Sequence, residues 1–301
     1  MVTRKAYAKL NIALIVVGEE NGYHNLDSVC LTVDKFDVIT AKKRKDDKIL
    51  VTFTGKYGFT PKLQEETLAY KAIKLFLDRF SLPGVNVTVE RNVPDGSGMG
   101  GSSLDIAGTL VALKKLFKVN CDLKPIADEL GSDSRYLLNG GFARLNGRGT
   151  EVSYFDCDRE YYFVAIYAKN GTTAKDCFAK YDEMELKPSE IDCEKVISAL
   201  QNGNLEDIRR YGGNDLTKPA IALNIEIAKN LSALKELCPE VCFMTGSGST
   251  CYAMYDSYEM ASWATDKLKS KYKGRVELLY TYNPQKLTAI EKFFGVKKEI
   301  F

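Results

Sequence analysis

Histidine is almost missing from this chain: among 301 residues only His24 is one. Cysteine is present eight times, at positions 30, 121, 157, 177, 193, 238, 242 and 251, yet no two are spaced C-x-x-C. One imidazole and scattered thiols lack the ligand spacing of a zinc centre, so no protein-built metal site is expected. The cysteines have mostly apolar or helical neighbours, as in Val29-Cys30-Leu31 and Thr250-Cys251-Tyr252, which reads as buried thiols in a reducing compartment. Excess charge of either sign is also missing. Lys+Arg number 42 against 40 Asp+Glu, a formal net charge of +2, so nothing points to a nucleic-acid partner. The densest basic run, Lys42-Lys43-Arg44-Lys45, is answered by Asp46-Asp47 and reads as a solvated hairpin tip between two strand-like stretches. No apolar run approaches the length of a bilayer span, and no charged-then-apolar leader opens the chain. The expectation is a cytoplasmic protein with no membrane partner. Repeats and low-complexity linkers are absent as well.

What is there is ordinary globular composition, 45% hydrophobic and 27% charged, in a chain long enough for two modest domains. Strands are expected over 6–17, 29–40, 49–53 and 85–89, with a helix over 64–80 carried by Leu68, Ala72, Leu75 and Phe76. A short helix over 122–130 is followed by a turn or helix start at Asp133, and 140–152 returns as strands turning at Gly147 and Gly149. After a strand over 161–167 the chain reads mainly helical through 189–201, 205–211 and 217–237. Strand-like segments over 241–255 and 276–282 then flank a helix over 258–269. The order is that of an α+β chain.

The most informative segment is Val93 to Leu110, VPDGSGMGGSSLDIAGTL. Gly96, Gly98, Gly100 and Gly101 allow positive φ and close ligand approach, and Ser102 and Ser103 are placed to cap the helix that follows. Ile106, Leu110, Leu113 and Leu116 recur at helical spacing as far as Lys118. The unpaired first-turn N–H groups and the positive dipole end of such a helix favour an anion, phosphate above all. No Lys follows the last glycine, so this is not a Walker loop, and no acidic residue closes an early βαβ unit as in dinucleotide binding. Taken alone, the run after Pro94 also fits a plain surface turn.

Two further segments accompany it, Ala6 to Ser28 (AYAKLNIALIVVGEENGYHNLDS) and Phe243 to Asp256 (FMTGSGSTCYAMYD). In this order and at these separations the three resemble the signature motifs of the GHMP small-molecule kinases. Lys9, Asn11, Gly22, Tyr23, His24, Leu26 and Ser28 match K-x-N…G-Y-H-x-L-x-S, a pattern far less widespread than a glycine loop. Gly131-Ser132-Asp133 stands where the family has G-A-D-V-P, Thr172-Thr173-Ala174 with Phe178 is similar to its S-T-A…[YF] stretch, and Asn214-Asp215-Leu216 to its N-D-L. Departures are Ser134-Arg135 in place of Val-Pro, Asn21 in place of an Asp, and Leu104 inserted between the serine pair and Asp105. The resemblance implies a two-domain α+β fold, with residues 1–155 like ribosomal protein S5 domain 2 and residues 156–301 ferredoxin-like. The active cleft would lie between them.

The activity implied is transfer of the ATP γ-phosphoryl group to a hydroxyl on a small molecule. The loop of Pro94, Gly96, Ser97, Gly98, Met99, Gly100, Gly101, Ser102 and Ser103 would wrap the ATP phosphates, with Mg²⁺ bridging phosphate oxygens and Ser103 or Asp105 as its contact. Asp133 would take the acceptor proton and Lys9 would keep it ionised, while Asn11 would fix either the acceptor or Lys9. The nearest branch of the family acts on a cytidine-diphosphate alcohol. By that likeness Tyr23 and Phe178 would stack on the base and His24 would bond its edge, with Thr173 beside them. Gly246, Ser247 and Gly248 would close the cleft.

Other readings of the same residues stand beside these. Asp133 after Gly-Ser also suits a helix N-cap, and Tyr23 and Phe178 suit core packing. A kinase for homoserine, mevalonate or a sugar is favoured by Arg135, which beside Asp133 could meet an anionic group. A non-catalytic sensor of the same fold is disfavoured, because Lys9 and Asp133 are both present. The expected partner is a small molecule, and the protein a monomer or homodimer.

Overall fold

The computed structural model describes residues 1–20, 22–186 and 189–284. Asn21 and the last part of the expected second domain, 285–301, lie outside the described residues.

The first sheet is built on a long antiparallel pair, β1 (Val2–Glu20) and β2 (Tyr23–Lys43). Strand β1 slips register between Tyr7 and Lys9, between Asn11 and Ala13 and between Val16 and Gly18. Such bulges bend a strand and free backbone groups from the ladder. The first slip lets the Lys9 N–H reach the Met99 carbonyl at 3.0 Å, which ties β1 to the glycine loop. β3 (Ile49–Thr54) pairs parallel with β4 (Val85–Glu90), and β4 pairs with the later half of β2. The Lys42–Lys45 run therefore does not turn a hairpin. It carries the chain from β2 past β4 to β3, and Arg44 is held there by Asp46 and by Asn86 at 2.7 Å.

Helix α1 (Leu68–Phe80) buries Ala69, Ala72, Ile73, Phe76 and Leu77, one face of a 3.6-residue period. It starts after Thr67, whose hydroxyl accepts from the Tyr70 N–H, so the expected first turn over 64–67 is instead a separate 3₁₀ turn. Helix α2 (Gly101–Phe117) has a nearly continuous buried run from Leu104 to Leu110. A Cβ at Gly108 would lie 2.5 Å from Ile39 and 2.9 Å from Ala6, so glycine lets this helix press onto β1 and β2. Short helices α3 (Lys124–Asp128) and α4 (Ser134–Leu137) precede β5 (Ala143–Gly147) and β6 (Glu151–Tyr154), and β5 pairs with the first half of β2.

The second sheet has the order β11-β7-β10-β9. Its members are β7 (Tyr162–Ile166), β9 (Val241–Met244), β10 (Cys251–Tyr255) and β11 (Val276–Tyr280), with every neighbouring pair antiparallel. Counted within this half, the order is 4-1-3-2, the ferredoxin-like arrangement. Between β7 and β9 lie α5 (Ala174–Glu183), α6 (Cys193–Asn202), α7 (Leu205–Tyr211), the two-residue β8 (Gly213–Asn214), α8 (Thr217–Leu223) and α9 (Glu226–Lys235). The single helix expected over 217–237 is thus two, broken at Asn224, where the Asn224 side chain accepts from the Glu226 N–H at 3.0 Å. Helix α10 (Tyr258–Tyr272) connects β10 to β11.

The chain passes from the first sheet to the second between β6 and β7, but β8 crosses back and pairs parallel with β1 at Ala13 and Leu14. One core spans both sheets: Phe163, Ala165 and Tyr252 pack with residues such as Leu10 and Ile12. The alternate β7 residues Val164 and Ile166 join a second cluster with Ile227, Ala261 and Ala264 beneath α9 and α10. A strand buried on both faces holds the two halves in one orientation. No helix among the described residues is long and apolar enough to cross a membrane.

Candidate active site

A cleft of about 810 Å³ opens between the two halves. Its floor is β1. Lys9 and Asn11, two residues apart on the strand, point to the same side. Lys9 is 4% exposed, and an ammonium so buried needs partners. Its Nζ donates to Asn11 Oδ1 at 2.5 Å and forms an ion pair with Asp133 Oδ2 at 3.4 Å. The rest of the Asn11 side chain is engaged too: Nδ2 donates to Ser28 Oγ at 2.8 Å and to Cys30 Sγ at 3.2 Å, and Oδ1 accepts from Thr245 Oγ1 at 3.0 Å. Burial pushes the Cys30 thiol up to about 11, so it remains a neutral acceptor. Asn11 is therefore a bracket for Lys9. Asp133 stands at the N-cap position of α4 but makes no capping hydrogen bond, and its carboxylate faces Lys9 at the cleft. The capping alternative fails on that geometry.

Two glycine loops meet at one end of the cleft. The Ser249 N–H donates to the Gly96 carbonyl at 2.9 Å, the Thr250 N–H to the Ser97 carbonyl at 3.1 Å, and the Thr172 hydroxyl to the Ser247 carbonyl at 2.6 Å. A Cβ at Gly98 would come within 2.0 Å of the Thr245 carbonyl oxygen, a distance no side chain tolerates. Asn214 Nδ2 donates to the Met244 and Gly246 carbonyls at 2.9 and 2.8 Å, holding the second loop from below. Helix α2 begins from this junction. Its N-cap is Gly100, without a side-chain cap, so Ser102 and Ser103 are not caps; they sit in the first turn and line the cleft. The first-turn amides thus keep no side-chain acceptor, which suits a phosphate.

At the other end stand the aromatics. Tyr23 is 52% exposed, and the Arg148 guanidinium carbon lies 3.6 Å from its ring centroid. The His24 ring stacks on Phe178 at 4.6 Å and 14°, while its Nε2 pairs with Asp182 Oδ1 at 2.7 Å. Phe178 and Asp182 are one turn apart on α5, so a single helix supports the imidazole by face and by edge. Tyr23 is exposed, which removes the packing alternative for it, whereas Phe178 is half-buried and both packs against the second core cluster and lines the cleft. Thr173 caps α5, accepting from the Asp176 N–H at 3.1 Å, and lines the cleft.

Several expected positions are elsewhere. Asp105 is buried against Arg91 at 3.7 Å rather than at the phosphates, and burial pushes its carboxyl up to about 7. Pro94 and the Met99 side chain are buried in the protein and do not line the cleft. A Cβ at Gly248 would face Met244, Thr172 and Ile227, so only Gly246 and Ser247 of that loop reach the cleft. Arg135 is bound in a bidentate pair to Asp128 and is not in the cleft lining, so it offers nothing to an anionic acceptor. Ser134 and Leu104 are buried, which makes those two departures matters of packing. Among the described residues no cluster of three metal-ligating side chains exists. Sequence reasoning missed Arg148, Asp182 and Asn214 as site residues. Asn214 was legible as part of a motif, whereas the other two depend on α5 and on the β5–β6 turn.

A glycine–serine loop that opens a helix, a buried lysine beside a carboxylate and a cleft between two α+β halves define a class, the small-molecule kinases without a Walker lysine. The chain belongs to the GHMP kinase family. It matches the GHMP kinases N terminal domain over residues 67–141 and the GHMP kinases C terminal domain over residues 196–274. Kinases of this family use ATP as phosphoryl donor. The chain is 33% identical over 275 residues to a 4-diphosphocytidyl-2-C-methyl-D-erythritol kinase of Clostridium perfringens, covering 89% of this chain and 94% of that one. It is 31% identical to the enzyme of the same name from Clostridium beijerinckii, with 89% and 96% covered. In fold it is similar to a 4-(cytidine 5'-diphospho)-2C-methyl-D-erythritol kinase (TM-score 0.77, 24% identity, 93% and 99% covered). A homoserine kinase from Cytophaga hutchinsonii has the same fold (TM-score 0.69, 17% identity, 93% and 95% covered).

Proposed function

We propose that this kinase transfers the γ-phosphoryl group of ATP to the 2-hydroxyl of 4-diphosphocytidyl-2-C-methyl-D-erythritol, a step of the non-mevalonate isoprenoid pathway. One observation carries the reading: a single cleft holds an aromatic and imidazole cluster at one end and the Lys9–Asp133 pair at the other. An acceptor with a flat base at one end and a hydroxyl at the other suits that spacing of chemistries. The names of the relatives that match over most of the chain support the same acceptor.

The mechanism follows from the residues. ATP phosphates lie on the first turn of α2, where Gly101 and Ser102 present amides and the helix dipole, the Ser103 N–H being held by the Gly100 carbonyl. The acceptor hydroxyl approaches Asp133. Its oxygen forms a bond to the γ-phosphorus as the bond to the ADP oxygen breaks, and its proton passes to the Asp133 carboxylate. Lys9, fixed by Asn11, pairs with that carboxylate and faces the negative charge that develops at the acceptor oxygen.

The lining fits Mg²⁺ that arrives on the nucleotide rather than one caged by protein: Ser103 offers a hydroxyl, and the carboxylate of Asp105 is turned to Arg91. When bound, that ion neutralises phosphate charge. With Arg135 held by Asp128, no observation favours homoserine, mevalonate or a sugar over the cytidyl acceptor.

The test is a coupled ADP-release assay with ATP and four acceptors: the cytidyl alcohol, mevalonate, homoserine and galactose. Turnover dependent on the cytidyl alcohol is expected. Turnover with another of the four would reassign the acceptor, and none with any would favour a sensor.

A further inference from the structure

We propose that Arg148 reads the charged linker of the acceptor, binding the diphosphate that separates its base from its polyol. This rests on the acceptor assigned above. Arg148 lies in the turn between β5 and β6, flanked by Gly147 and Gly149. Two contacts fix that turn at opposite ends of the acceptor side of the cleft. Its head group covers one face of Tyr23, with Cζ 3.6 Å from the ring centroid. Its neighbour Gly149 packs on Ser132, so closely that a Cβ there would stand 2.9 Å from the Ser132 carbonyl oxygen. Ser132 precedes Asp133. The turn therefore bridges the aromatic end and the base, which is the stretch a linker must cross if the acceptor spans both.

Charge supports the assignment. Other arginines near the site are spoken for by carboxylates: Arg144 by Asp27, Arg135 by Asp128 and Arg91 by Asp95. Arg148 is exposed, lines the cleft and has no carboxylate within 4 Å among the described residues. A guanidinium stacked on an aromatic face keeps its in-plane N–H donors free, and that planar fork matches phosphate oxygens two at a time. Tyr23 would then do two jobs, presenting one face to the base and using the other to hold the arginine in place.

The experiment is saturation kinetics for both substrates on wild type, Arg148→Ala and Arg148→Lys, at low and moderate salt. Loss of a charge-assisted phosphate contact should raise the acceptor KM by roughly ten- to a hundredfold in Arg148→Ala. The kcat and the ATP KM should stay within about twofold, because that contact is equally present in ground and transition states. Arg148→Lys should recover part of the loss, keeping the charge without the fork. The acceptor KM of wild type should climb with salt more steeply than that of Arg148→Ala. An unchanged acceptor KM in Arg148→Ala, with wild type turning over the cytidyl acceptor, overturns the inference alone. Equal rises in both KM values overturn it too, by marking Arg148 as a packing residue. A wild type inactive on the cytidyl acceptor removes the assignment beneath it and the inference with it.

Discussion

Replacing Asp133 with Asn tests the chemistry at its centre. The substitution keeps the side chain's size and removes both its negative charge and its basicity. Fold should survive: Lys9 retains the Asn11 oxygen at 2.5 Å and loses an ion pair whose acidic member is 33% exposed. The buried Lys9 then keeps only the Asn11 oxygen, so the stability cost should be about 1–3 kcal/mol. The rate should respond far more. A positioned general base is worth roughly 10² to 10⁴ in rate, so kcat should fall by roughly 10²-fold or more, about 2.7 kcal/mol of transition-state stabilisation. Affinity for ATP should stay near that of wild type, because Asp133 lies on the acceptor side of Lys9 while the nucleotide rests on α2. The assay is ADP release with saturating ATP and cytidyl acceptor, alongside calorimetric titration of ATP and a thermal melt. Near-normal turnover in a folded variant would refute the assignment of Asp133 as base. Loss of ATP binding in parallel would refute the placement of the two substrates.

Other outcomes follow from the same geometry. Ser102→Glu puts a carboxylate in the first turn of α2, where the helix dipole welcomes it, so the melting temperature should hold or rise slightly while ATP affinity falls by roughly tenfold or more through like-charge repulsion; unchanged affinity by calorimetry would mean phosphates bind elsewhere. Tyr23→Ala should raise the acceptor KM roughly ten- to a hundredfold, from about 1–3 kcal/mol of base stacking, and leave ATP kinetics alone; equal losses for both substrates would make Tyr23 structural. Asp105, with a folded value near 7 against an ordinary 3.8, binds more protons folded than unfolded in that window. Its contribution therefore costs stability as pH rises from about 4 to 7 and is constant above, so Asp105→Asn should flatten that part of the stability curve in urea titrations; a slope identical to wild type would contradict it.

Much of the site was legible because it rests on local chemistry. Glycines, a serine pair and an apolar helix announce a phosphate loop wherever they occur together, and a lysine in an apolar strand demands a partner. Asp105 misled because residues two apart on a helix point about 200° apart, so a helix that turns Ser103 to the cleft turns Asp105 away. Helix α5 is less visible because it is short and charged, with Ala174, Cys177, Phe178 and Tyr181 at helical spacing but only Cys177 of them fully buried. With it went the pairing of Asp182 with His24. Arg148 was beyond reach for another reason: its partner Tyr23 is 125 residues away, and only the pairing of β5 with β2 brings them together. The return of β8 to the first sheet is likewise tertiary, since two residues carry no pattern of their own.

The proposed reaction joins an ATP phosphoryl group to the hydroxyl of a cytidyl alcohol. It is tested most directly by incubating the wild-type protein with γ-labelled ATP and that acceptor and separating the products by anion exchange. The label should appear in one new species, more anionic than the acceptor and absorbing as cytidine, and Asp133→Asn should form it at a small fraction of the rate. Label found only in inorganic phosphate and unreacted ATP would contradict it.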